Sequence, residues 1–410
     1  MAGSVVVVGG GPGGVLLTYL LARGGVAVTL LEARGDFARR FRGDTLAPGV
    51  LEYLDRLGLA DDLLAEVPYT RSDAFRWHTA EKTWTLVDYR GASRRFPFYA
   101  LMPQARFLPW LVERAQRCGA RVEMGARFRT LCHDAAGRVS GVEYTVDAEP
   151  RRLDATLVVG SDGRSSKVRA DAGITATELG ASLDLLWASL PREESDPSYS
   201  GLDLFARPGG TVALLDQGVT WQMGWSVPVG EFDRVRAEGV DTLIDDAVAL
   251  LPWIGPRLRE TVTGPNDLTL LPVRITTVET WSKPGLLLLG DAAHVISPVG
   301  GNGINLALAD AAEAANLLVD VLRSDVVEPG AVDAAASELE RRRRPGTERE
   351  QKRQVRTERA AADRRRADDP RPPGPLRVLA SIPGVPRLLG RRSGVRVADP
   401  VSAIVSGDGR

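Results

Sequence analysis

Residues 4–32 most constrain what this chain can fold into. Ser4–Val8 (SVVVV) is an apolar run without polar alternation, the pattern of a strand covered on both faces. Gly9-Gly10-Gly11-Pro12-Gly13-Gly14 follows and fits G-x-G-x-x-G. Residues 15–23 have helical periodicity and residues 26–32 return as a strand, so the whole reads as a βαβ unit. Gly9 permits the tight turn, Gly11 lets backbone approach a pyrophosphate, and Gly14 lets helix and strand pack closely. Pro12 and Gly13 open the helix, whose N-terminus supplies N–H groups and positive potential. Glu32 ends the second strand, where a carboxylate accepts from ribose hydroxyls, with Ala33 and Arg34 just beyond it. An acid there suits an unphosphorylated ribose, hence FAD or NAD rather than NADP in this site. The bland alternative, a Gly-rich turn of no function, has the flanking strand, helix and acid against it.

Three further segments choose between FAD and NAD: residues 158–169 (VVGSDGRSSKVR), 287–294 (LLLGDAAH) and 298–305 (PVGGNGIN). Each joins a strand end or Gly-rich turn to a polar group, as α/β folds build sites at the carboxyl ends of strands. Asp291, after Gly290, is a fixed acceptor for a sugar-chain hydroxyl. The Gly300–Gly303 turn opens a helix over residues 305–322, and its N–H groups can hold the negative charge of a reduced flavin at N1–C2=O. The plainer reading of Asp162 and Asp291 is as turn acceptors or helix caps alone.

In this order the three motifs resemble the class A flavoprotein monooxygenases, the family of para-hydroxybenzoate hydroxylase and the aromatic-polyketide hydroxylases. The resemblance runs over residues 4–322 and rests on Gly9–Gly14, on Asp162-Gly163 with Ser165 and Arg169, and on Gly290-Asp291 with Pro298. It implies an α/β fold: a Rossmann-type (GR2-like) FAD-binding domain with an inserted, mainly antiparallel β-sheet domain for substrate, and a helical tail. It implies that Glu32 binds the adenosine ribose and Asp291 the ribityl chain. Arg42 (in FRGDTL) and Gln104 (in MPQARFL) are implied to hold the phosphate and ribityl region, and Asp162-Gly163 to lie near the pyrophosphate and the path of NAD(P)H. Pro298, Gly301 and Asn302 are implied to form the flavin environment, with Gly303, Ile304 and Asn305 beside the cofactor. NADPH or NADH would reduce FAD, and O2 would react through a flavin C4a-hydroperoxide to hydroxylate or epoxidise an aromatic or polycyclic small molecule, a secondary-metabolite tailoring step. The chain departs from the family in having Gly301-Asn302-Gly303 where Gly-Gln-Gly is common, and a short Arg-rich tail instead of a thioredoxin-like domain.

The chain's 410 residues suffice for two or three domain-sized units. Residues 1–70, 101–174 and 271–330 are expected to form a discontinuous FAD-binding domain, 71–100 and 175–270 the substrate domain, and 331–410 a helical Arg-rich segment. Residues 45–59 and 104–118 read as helices, the latter with Phe107, Leu108, Leu111 and Ala115 on one face. Trp221, Met223 and Trp225 alternate along a strand and share one face. With Trp187 they are candidates to line a substrate pocket; the alternative is the core of the second domain. In residues 339–366, twelve basic and five acidic side chains suggest a solvated helix laced with i,i+4 pairs, or a basic docking face.

A net charge of −1 gives no global field for nucleic acid. Two cysteines make no disulfide scaffold and fit a reducing cytoplasm. No leader is read at the N-terminus, and no apolar run nears the roughly 18 residues of a membrane span. No His, Cys, Asp or Glu stand at metal-ligand spacing, so no metal is expected. His294 tempts as an acid or base but reads better as a hydrogen-bonded structural histidine, and no protein nucleophile is needed. Two competing readings are a flavoprotein that uses FAD structurally, for example in a cyclisation, and a flavin halogenase, for which MGWSVP (residues 223–228) is a faint match. Substrate identity, NADH against NADPH, and oligomeric state are not written in the sequence.

Overall fold

The computed structural model describes residues 3–37, 44–180, 183–298, 300–366, 368–392 and 395–406. Six strands form the first sheet, in the order Ser282–Lys283, Leu286–Leu288, Leu157–Gly160, Ser4–Val8, Ala27–Glu32, Arg121–Met124. All neighbours are parallel except the first pair. Parallel strands need cover on both faces. Here helices Pro12–Arg23, Gln104–Arg117 and Asn302–Leu322 cover one face, and Phe128, Leu131, Val142 and Trp281 pack against the other. Register aligns Val8 with Gly160 and Gly160 with Leu288. The turns that follow these three strands therefore leave the sheet at one edge, side by side.

The second large sheet has seven strands, in the order Thr269–Pro272, Leu183–Pro191, Thr220–Pro228, Gly210–Asp216, Gly201–Arg207, Ala74–His78, Thr83–Asp88. It is antiparallel except where Gly201–Arg207 meets Ala74–His78. Alternation gives it two faces. The outer face carries Leu186, Phe205, Val212, Leu214, Trp221, Met223 and Trp225 and packs on Val235, Ile244 and Leu258 of three short helices. The inner face carries Leu185, Trp187, Ala213 and Leu215. At its other end Phe75 and Leu202 pack on Ala47 and Tyr99 of the first half of the molecule.

This corrects the pocket assignment of Trp221, Met223 and Trp225. They do share a face, but it is the outer one, buried as the core alternative required. Trp187 pairs with Gly224, not with 223 or 225, so it alone of the four points inward.

Two other expectations change. Residues 45–59 are not one helix: Thr45–Leu46 is a strand on Tyr99–Leu101, and the helix is Pro48–Arg56. Pro48 holds Ala47 extended and then supplies the first helical position. The Arg-rich tail forms the helix Pro329–Arg366, and only part of its surface is solvated. Exposed pairs such as Arg342–Glu338 and Arg353–Glu350 decorate that part. Val332, Ala336 and Leu339 join the first core, and Gln351, Gln354 and Glu358 are buried.

Candidate active site

The glycine turn is tight for reasons visible in the backbone. Gly9 has φ +108°, and a Cβ there would stand 2.5 Å from the Ser161 carbonyl. A Cβ on Gly14 would fall 2.2 Å from the Gly9 carbonyl. Gly11 is the N-cap of the helix Pro12–Arg23, and no side chain caps it. Its first N–H groups are thus left for a ligand. Glu32 is buried: its Oε2 accepts from Gly10 N at 2.8 Å and its Oε1 from Arg34 N at 2.9 Å. Ala33 and Arg34 are exposed beside it.

Asp162 serves first as a turn acceptor. Its carboxylate takes the Ser166 hydroxyl and the N–H groups of Lys167 and Val168 at the start of the helix Lys167–Asp171. Gly163, at φ +88°, has open space where a side chain would be. Asp291 follows Gly290 (φ +56°) and pairs with Arg164, whose Nε lies 3.2 Å away. Arg164 also donates to the Pro272 carbonyl in the second sheet, and Arg169 donates to the carbonyls of Ala292 and Arg164. These two arginines lock the Asp-Gly turn to the Gly-Asp turn. The role of Arg164 was not legible, because nothing local marks it from the chain's many other arginines.

Gly300 and Gly301 both have positive φ, and Gly301 is the N-cap of Asn302–Leu322. A Cβ on Gly301 would stand 2.4 Å from Thr45 Oγ1, whose hydroxyl donates to the Gly301 carbonyl at 3.0 Å. Asn305 is fully buried and clamps this loop: its Oδ1 accepts from Ala47 N, and its Nδ2 donates to the carbonyls of Thr45 and Gly301. It therefore reaches the site through the loop it holds. No side chain caps the 21-residue helix, and Asn302 Oδ1 is buried without a partner. Gly303 and Ile304 lie in its first turn, after Pro298. The Gly-built, uncapped helix start suits negative charge, and the orphaned Asn302 Oδ1 suits a donor such as a ring N–H; a planar group that carries both fits this loop.

The loop is held from behind by groups that sequence reasoning missed. Gln354 Oε1 accepts from Ser297 N at 2.8 Å, and Gln351 Nε2 donates to the carbonyls of Thr276 and Val295. Both come from the Arg-rich helix, where charge composition hid the buried Thr347, Gln351, Gln354 and Glu358. His294 is a structural histidine here: its Nε2 lies 2.7 Å from Asp310 Oδ2, and its ring packs on Trp281. Burial alone would raise the Asp310 pKa, but His294 and Arg343 outweigh it and hold it at about 2.

Gln104 N donates to Asp44 Oδ1 at 3.1 Å at the start of the helix Gln104–Arg117. Asp44 Oδ2 accepts from Gln217 Nε2 at 2.6 Å, and Gln217 Nε2 also donates to Gln222 Oε1 at 3.0 Å. This chain joins the first half of the molecule to the inner face of the second sheet. Burial, opposed by those two hydrogen bonds, raises the Asp44 pKa to about 7. Arg42 lies outside the described residues. Beyond Ser226 the inner face turns basic, in a cleft lined by Trp77, Arg207, Arg364 and Arg365.

Known proteins agree with this architecture. Residues 3–345 match the model of an FAD-binding-domain family. A 6-methylpretetramide 4-monooxygenase of Streptomyces rimosus is 33% identical over 86% of this chain and 82% of its own length. The dialkyldecalin synthase of Streptomyces rugosporus is 26% identical over 76% of this chain and 64% of its own. Against three other monooxygenase relatives the chain spans 56%, 59% and 60% of their length. Among solved structures, the flavin-dependent halogenase CmlS superposes with a TM-score of 0.74 over 92% of this chain and 69% of its own at 19% identity, a likeness of fold. The chain belongs to the FAD-binding-domain family of class A monooxygenases: it is an FAD-dependent oxidoreductase.

Proposed function

We propose that this enzyme uses NADPH or NADH and O2 to hydroxylate or epoxidise a fused-ring aromatic compound of the polyketide type. The carrying observation is the inner face of the second sheet, apolar at Leu185, Trp187, Ala213 and Leu215 and joined through Gln222, Gln217 and Asp44 to the strand that holds the flavin loop. Such a face suits a flat apolar substrate and keeps water out. The 6-methylpretetramide 4-monooxygenase adds support by the aromatic polyketide in its name.

FAD, when bound, supplies the electron transfer and the activation of oxygen. The protein's share is placement. In this reading Glu32 would take the adenosine ribose, the N–H groups after Gly11 would take the pyrophosphate with Gly13 and Gly163 beside it, and Asp291 and Gln104 would take the ribityl chain. The N–H groups at Gly301–Gly303 hold negative charge at the flavin's pyrimidine edge. Pro298 would stand beside the bound flavin, and Arg164 orients Asp291. The discontinuous domain division and the inserted substrate domain belong to the same reading. No helix among the described residues is long and apolar enough to cross a membrane.

A second reading, FAD used without redox turnover, draws on the dialkyldecalin synthase relative. Anaerobic addition of NADPH or NADH to the FAD-loaded protein separates the two. The monooxygenase reading expects the yellow absorbance to bleach, faster with 6-methylpretetramide present, and to return with oxygen. A flavin that stays oxidised with both reductants, with and without polyphenol, refutes it.

A further inference from the structure

Trp187 is 8% exposed, and its Nε1 is buried without an acceptor. An indole N–H can only donate, and leaving it dry and unpaired carries a cost that calls for an explanation. The other tryptophans of this sheet's core set the contrast. Trp221 Nε1 donates to Asp196 Oδ2 at 2.8 Å and Trp225 Nε1 to the Leu243 carbonyl at 3.1 Å. Both lie on the outer face, where nothing beyond the protein is to be bound.

The Trp187 ring is held in place. Its strand pairs with Gly224, where a Cβ would meet the six-membered ring at 2.7–2.9 Å, so the indole lies flat across that glycine. Leu185, Val273 and Leu271 pack around it. Gln222 is next on the same face of the adjacent strand and is 5% exposed. The direction of its amide is fixed from outside. Gln217 turns its NH2 toward Asp44 Oδ2, which accepts from it at 2.6 Å. The same Nε2 then donates to Gln222 Oε1, which leaves the Gln222 NH2 to the inner face. Two donors thus stand on neighbouring strands of this face, where Thr269 lies opposite Trp187 and Ser189 opposite Gln222, and among the described residues neither donates to a protein acceptor.

We infer that Trp187 Nε1 and Gln222 Nε2 form a donor subsite that orients the substrate by an acceptor oxygen, a ring carbonyl or phenolate, on one edge of its aromatic system. This rests on the reading of the inner face as the substrate face. It adds that the enzyme selects for oxygen on the ring edge rather than for apolar bulk alone. Asp44 acts one step back, as a positioning residue that sets the direction of the amide chain.

A matched pair of ligands tests this on the FAD-loaded enzyme: 1-tetralone, which carries an acceptor carbonyl, and tetralin, which does not. Binding is read from the perturbation of the oxidised flavin spectrum. The wild type is expected to bind the ketone about tenfold more tightly, the effect of one or two neutral hydrogen bonds in a dry site. Trp187→Phe keeps a ring over Gly224, and Gln222→Met keeps the bulk; each is expected to lower that preference severalfold while tetralin affinity stays the same. Should Trp187→Phe fail to fold, Gln222→Met and the wild-type preference carry the test. A wild type that binds the ketone no better than tetralin overturns the subsite, as do folded variants that keep the preference or weaken both ligands alike. Failure of the monooxygenase reading shows separately, as a flavin that NADPH and NADH leave oxidised.

Discussion

The two faces of the seven-stranded sheet come from the same strands and differ in how they treat polar atoms. On the outer face each tryptophan N–H of the core has its acceptor, and the surface is closed by helices. On the inner face the Trp187 indole N–H is left buried and unpaired, the Gln222 NH2 donates to no acceptor among the described residues, and a titratable carboxyl sits behind them. One face is finished by the protein itself; the other is complete only with something added. Burial and aromatic content do not tell them apart, whereas hydrogen-bond satisfaction does.

Truncating the outer face should cost the most. Trp221→Ala removes a side chain 1% exposed together with its bond to Asp196, and about 3–5 kcal/mol of stability should be lost in a urea melt. The flavin spectrum's response to ligands should not change in whatever fraction stays folded. A ligand effect without a stability effect would reverse the assignment of the two faces.

Behind the inner face, Asp44 predicts a pH signature. Its folded pKa of about 7 is above that of an unfolded aspartate, so its contribution is fully present below pH about 4 and is lost as pH rises through 7. Asp44→Asn should therefore gain on the wild type as pH rises, by a few kcal/mol at pH 8, and the gap should close below pH 4. Equal pH profiles for the two proteins would remove Asp44 from the account.

In the flavin loop, Gly301→Ala puts a methyl 2.4 Å from Thr45 Oγ1 at φ +66°. It should weaken FAD retention about tenfold, by strain of order 1–2 kcal/mol, in a flavin-release titration. Unchanged retention would mean that the loop yields easily. Last and smallest, Glu338→Gln breaks pairs with Arg341 and Arg342 at the solvated surface of the long helix and should leave the melting midpoint unmoved.

The sequence carried the parts of the fold whose cause is local. An apolar run, a glycine turn and an acid after the next strand announce a βαβ unit, because each step constrains the next within a few residues. Short strand-like runs between residues 175 and 270 point to an antiparallel second sheet, and the family resemblance agrees with it. Which face of that sheet points inward was not legible. Trp221, Met223 and Trp225 share a side by alternation, but alternation is silent on which side meets helices and which meets the cofactor half. Nor were Gln351 and Gln354 legible as supports of the flavin loop: their partners are backbone atoms over fifty residues away. Thr45 falls in a stretch read as helical, although Pro48 takes the first helical position three residues on. Asn305 and Asp162 were singled out as cofactor residues, yet their side chains are spent on the turns that shape the site, a distinction that only the hydrogen bonds reveal.

The central claim is that a redox-active flavin works on an aromatic compound held against the inner face. The most direct test is to turn over the FAD-loaded enzyme with NADPH or NADH, 6-methylpretetramide and isotopically labelled oxygen gas, and to weigh the product. The account predicts a product that has gained one oxygen atom, carrying the label from the gas. A product that is an isomer of the starting compound, or one whose new oxygen comes from water, would contradict it.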